Sequence, residues 1–133
     1  MHWFCLVIGT IVKDNVRQQF EEKNQFTVYV ERLDSLLDSK NIKVGLVKMD
    51  AQGFECKILE GMGQELAQKI HVIKFEYARK HLNAHGCEDL LPRMSQYSFD
   101  VYTGYANGFS GLLNTSESSK LRGMVELFAS KKV

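Results

Sequence analysis

Proline occurs once in this 133-residue chain, at position 92, which argues against long disordered linkers. Charge of one sign is also scarce: 17 Lys and Arg stand against 16 Asp and Glu, a net +1. With no basic surplus, electrostatics nominates neither nucleic acid nor an anionic membrane as a partner. Long apolar runs are missing too. The opening stretch, residues 1–12, is too short to span a bilayer, carries no cluster of positive charge and lacks a clear cleavage site. A cytoplasmic protein is therefore expected. Cysteine is sparse, and Cys5, Cys56 and Cys87 lack metal-ligand spacing. Neither a disulfide framework nor a zinc site follows, and three reduced thiols of an intracellular protein are expected. Asn114-Thr115-Ser116 fits the glycosylation sequon, a pattern common by chance that matters only in a secreted chain. Repeats and low-complexity segments are absent.

What is present reads as one compact α/β domain, or part of one. The 44% hydrophobic and 25% charged content is ordinary for a globular protein. Residues 1–12 read as a strand, 13–24 as a loop or exposed helix, and 26–30 as a strand of alternating β-branched and aromatic residues. Leu33, Leu36 and Leu37 predict a short helix over 33–39. Val44–Met49 is apolar almost throughout, which suits a strand covered on both faces. Phe54, Ile58, Leu59, Met62 and Leu66 predict a helix over 54–69, weakened or broken by Gly61 and Gly63. A strand follows at 72–77, then a helix at 88–97 with Pro92 in its first turn or two. Residues 98–103 read as a strand with Phe99 and Val101 on one face. Asn107-Gly108 is a hairpin turn signal, and 109–113 run back from it. A polar connection at 115–123 leads to a last strand at 124–129. An apolar strand such as Val44–Met49 needs neighbours on both sides, supplied by residues 1–30 or by chain before Met1.

The segment Val47-Lys48-Met49-Asp50-Ala51-Gln52-Gly53-Phe54-Glu55 carries the most information. It is a buried strand that ends in a carboxylate, turns through glycine and opens a helix with a second acid. Ligands of open parallel sheets sit beyond the carboxyl ends of strands, so Asp50 lies where chemistry is usually done. Glu76, near the end of the next predicted strand, would face the same crevice. Asp50 also suits a plainer role, accepting backbone N–H groups of the following turn. Glu55 suits the helix macrodipole, Gly53 a backbone requirement, and Lys48 an edge position or a pairing with Asp50 or Glu76. His81 and His85 are four apart, but no third ligand is placed, and Asn83 with Gly86 favours a loop there. His71 opens a strand and should be solvated.

Three blocks, in this order and at these gaps, resemble the FkbM family of methyltransferases. They are Val28-Tyr29-Val30-Glu31-Arg32-Leu33-Asp34-Ser35-Leu36-Leu37, the Lys48-x-Asp50-x-x-Gly53-x-Glu55 core with Leu59 and Gly61, and Ile73-Lys74-Phe75-Glu76-Tyr77. The resemblance covers roughly residues 26–103. It implies a Rossmann-like class I methyltransferase fold, a seven-stranded sheet binding S-adenosylmethionine and passing its methyl group to an oxygen of a sugar or other small molecule. Val44–Met49 would be the fourth strand, 72–76 the fifth, and the C-terminal strands the sixth and seventh. No Gly-rich turn after a strand precedes Val44, and residues 61–66 follow a helix. The chain therefore reads as the C-terminal half of such a sheet. On this plan Asp50 and Glu76 are the catalytic candidates, and Asp50, Gln52, Gly53 and Glu55 the cofactor-binding ones. No metal is expected, and oligomeric state is not legible. The competing readings are a truncated, non-catalytic α/β remnant or interaction module, and an unrelated doubly wound domain binding an anion at the Gly53–Glu55 helix start, where two acids stand against it.

Overall fold

The computed structural model describes residues 31–37 and 41–132. The expected strands at 1–12 and 26–30, the segment 13–24 and Cys5 lie outside them. Helix α1 (Leu33–Leu36) opens the described chain and strand β1 (Val44–Met49) follows. Helix α2 (Glu55–Ala67), strand β2 (Ile70–Ala78) and helices α3 (Arg79–Ala84) and α4 (Leu90–Gln96) come next. Strands β3 (Phe99–Tyr105) and β4 (Phe109–Leu113) form a hairpin, and a 3-10 turn (Thr115–Lys120) leads to strand β5 (Met124–Lys131).

The five strands make one sheet in the order β1-β2-β5-β3-β4. β1 and β2 are parallel, and β5 runs antiparallel to both β2 and β3. β1, β2 and β3 thus point one way, and their carboxyl ends lie at one edge of the molecule. Alternation along each strand sends Val47, Met49, Ile73, Phe75, Phe99, Val101, Leu127 and Ala129 into a core shared with Leu59, Met62 and Leu66 of α2 and Leu90, Leu91 and Met94 of α4. Burying each such side chain contributes roughly 1.5–3 kcal/mol.

β1 departs from expectation in its faces, while its expected second neighbour, residues 1–30 or preceding chain, lies outside the described residues. The strand is paired on one side only among the described residues, and it alternates rather than hiding both faces: Leu46 is 41% exposed and Lys48 is exposed. Leu46 and Lys48 lie on the outer face, while Val47 and Met49 face the core, so the apolar run does not reflect two covering layers. Lys48 accordingly lies at the sheet edge among the described residues. His71 is exposed, as expected.

Gly63 breaks α2 as predicted, with φ 66° and ψ 168° inside the helix. A Cβ there would come 2.9 Å from the Asp34 carboxylate, so this glycine also admits α1. Arg32 donates to Asp34 and to the Glu60 carbonyl across that junction. The span 79–87, which reads as a loop, instead holds α3. Gly86, at φ 68°, is its terminator: Cys87 N–H reaches back to the Leu82 carbonyl (2.9 Å) and Gly86 N–H to that of Asn83 (3.4 Å). That is the Schellman cap, so the glycine that reads as a loop marker is the end of a helix buried through Leu82. Among the described residues no helix is long and apolar enough to cross a membrane.

Glu60 ties α2 to α4. Lys57 and Arg93 both bond its carboxylate, at 3.1 and 3.0 Å, and hold its pKa below the usual glutamate range. A lowered folded pKa means stability present above the unfolded value and lost as pH falls through the folded one. Glu60→Gln should therefore flatten the acid limb of the thermal midpoint below about pH 4.3. The shift should be small, because the pairs are solvent-exposed. Superimposable midpoint-versus-pH curves for variant and wild type would exclude the linkage.

Candidate active site

The carboxyl end of β1 passes into a tight turn, Ala51-Gln52-Gly53-Phe54, closed by Phe54 N–H to the Ala51 carbonyl at 3.3 Å. Both central residues have positive φ, 52° at Gln52 and 105° at Gly53, as a type I′ turn requires. Gly53 has a second reason to lack a side chain. A Cβ there would run into the His81 carbonyl and the His85 ring of the neighbouring α3 segment. The His85 ring lies over Phe54, with centroids 4.2 Å apart. The turn is thus packed directly against the chain that follows β2.

Glu55 holds this turn from inside. It is 1% exposed, and its two carboxylate oxygens accept from Ala51 N–H (3.1 Å) and Gly53 N–H (3.0 Å). The helix start is therefore clamped by Glu55, whereas the plainer role expected of Asp50 would have given it that position. Asp50 is left pointing elsewhere.

That elsewhere is Glu76. Continuing the β1–β2 register one step past Met49↔Phe75 puts Asp50 beside Glu76. The Gln52 side-chain amide lies between them, donating to Asp50 Oδ1 (3.1 Å) and to Glu76 Oε1 (3.3 Å). Asp50, Gln52 and Glu76 are all partly buried, at one end and on one face of the sheet. Of the predicted site residues, the structure brings these three together. Gly53 and Glu55 sit behind them, shaping the turn.

Sequence reasoning missed two neighbours. Glu126 of β5 stands directly across the ladder from Glu76, an arrangement of like charges that Lys74 relieves by pairing with Glu126 at 3.2 Å. Cys56 and Cys87 form a disulfide, with Cα atoms 5.7 Å apart. The expectation of three reduced thiols is corrected for these two. Their spacing of 31 residues holds no signal, because only the packing of α2 against the α3–α4 connection brings them together. Among the described residues no group of three or more His, Cys, Asp and Glu could hold a metal ion. His81 lies on α3 and His85 just beyond it.

A family model described as the methyltransferase FkbM domain matches residues 9–106, more than half of the chain. No curated protein and no solved structure matches the chain.

Proposed function

Because this chain belongs to the FkbM methyltransferase family, we propose that it transfers a methyl group from S-adenosylmethionine to a hydroxyl of a small molecule or sugar. The observation that carries this is the Gln52 amide spanning two carboxylates from adjacent parallel strands. Its fold is read as the C-terminal half of a Rossmann-like sheet. β1 and β2 take the fourth and fifth places, and β3 and β5 the sixth and seventh, in support of which β5 lies antiparallel between β2 and β3.

The donor set suits that ligand pair. Asp50 and Glu76 each engage Gln52 through one oxygen, leaving the other, among the described residues, to meet a hydroxyl or a positive centre. Bound S-adenosylmethionine supplies a methyl group on a sulfonium, ready for in-line displacement. Positioning then dominates the chemistry. An alcohol is a poor nucleophile, and it gains from a carboxylate that accepts its hydrogen bond and takes its proton. Asp50 and Glu76 fill those two roles, and Gln52 sets their separation. Gly53 and Glu55 contribute by holding the turn that aims Asp50 and Gln52.

Calorimetric titration of the purified full chain with S-adenosylmethionine tests the reading. Saturable heat at micromolar ligand is the expected result. A folded sample that gives no heat would instead leave the non-catalytic α/β module as the description of this chain.

A further inference from the structure

We propose that the Cys56–Cys87 disulfide is a positioning clamp for the Asp50–Gln52–Glu76 cluster, which makes the geometry of the site sensitive to thiol reductants. The proposal rests on the reading of that cluster as the site. Its physical basis is where the two half-cystines lie. Cys56 directly follows Glu55, whose carboxylate grips the N–H groups of Ala51 and Gly53. Movement of the first turn of α2 is therefore passed to the turn that carries Gln52. Cys87 is the last residue of the Schellman cap of α3, and α3 begins at the residue after β2 ends. β2 carries Glu76. The sulfur bridge thus joins the support of one carboxylate to the support of the other.

Noncovalent contacts also hold these supports together, among them Gly53 against the His81 carbonyl, Phe54 against the His85 ring and the Glu60–Arg93 pair between α2 and α4. Each is small, and none resists a hinge of α2 away from α3 as a covalent link does. When the bridge opens, the β1–β2 ladder still keeps Asp50 beside Glu76, and the turn that aims the Gln52 amide between them loosens.

Opening is a two-electron exchange with a dithiol such as dithiothreitol. A reductant thiolate attacks one sulfur and breaks the S–S bond, giving a mixed disulfide. The reductant's second thiolate displaces the protein sulfur and closes a cyclic disulfide, leaving protons on Cys56 and Cys87. The Cys56 sulfur then has a partner in place, since Asp89 Oδ1 lies 4.0 Å away. At 5% and 1% exposed, the bridge is reached only through local opening, so the clamp behaves as a lasting setting and not a rapid toggle.

Hydrogen exchange on the oxidised and dithiothreitol-reduced full chain decides the matter, with thiols counted by alkylation and mass. Reduction should speed exchange of the Ala51 and Gly53 amides at least tenfold, while Ile73 and Phe75 in β2 change less than twofold. Reoxidation should restore the slow rates, and Cys56→Ser should give fast rates whatever the redox state. Uniform acceleration across the core would mark a global staple and overturn the proposal, as would unchanged exchange at 51–54. The same samples titrated with S-adenosylmethionine separate the two ideas. If exchange responds and no form binds cofactor, the functional reading fails and the clamp stands.

Discussion

Glu55→Ala is expected to lower the unfolding free energy by about 2–4 kcal/mol, read from urea denaturation. The side chain is buried, and both of its oxygens are taken by backbone donors of a turn with two positive-φ residues. Removing it strands two N–H groups, each costing about 1–3 kcal/mol when left without a partner. It also removes a negative charge from a helix N-terminus. Glu55→Gln should fall between, since the amide keeps one acceptor and turns a donor toward the other N–H. A loss under about 1 kcal/mol for the alanine variant, the low end for one stranded group, would mean that water replaces the carboxylate and that the turn holds without it.

Asp50→Asn and Glu76→Gln should act on turnover with little effect on stability, because both side chains are half-buried and both changes keep shape. Removing a positioned acid–base group typically costs about 10²–10⁴-fold, and each variant is expected to lose about that much methyl transfer from labelled S-adenosylmethionine to neutral glycosides. The double variant should be no worse than the less active single one, since groups that work as a unit give non-additive losses. Two singles that each stay within about threefold of wild type, far short of such a loss, would remove these carboxylates from the reaction.

Much of this architecture is legible in the amino-acid order, for identifiable reasons. β2, β3 and β5 are short runs of β-branched and aromatic residues, and their periodicity places Phe99 and Val101 on the buried face. Gly63 interrupts a clear helical stripe, so the break in α2 is visible in advance. Asn107-Gly108 marks the β3–β4 reversal. The meeting of Asp50 and Glu76 follows from two adjacent parallel strands, paired in register, that each carry an acid near the carboxyl end. What could not be read depends on packing. Gly86 signals both a loop and a helix end, and Leu82 decides between them only once the core is known. Burial of one face of β1 depends on its neighbours. The roles of Gln52 and Glu55 are set by two positive-φ residues, one of them not a glycine, and the identity of a residue says little about that. Cys56 and Cys87 find each other only in the finished fold.

The Gln52 amide has a last consequence. With its NH₂ group turned toward two carboxylates, its carbonyl faces away from them, so the Asp50–Gln52–Glu76 cluster offers a visitor carboxylate and amide oxygens. On the proposed reading, such a lining favours acceptors that donate hydrogens, sugars and alcohols among them, over anionic acceptors. Discrimination among acceptors by charge is the expected result of that one side chain's orientation.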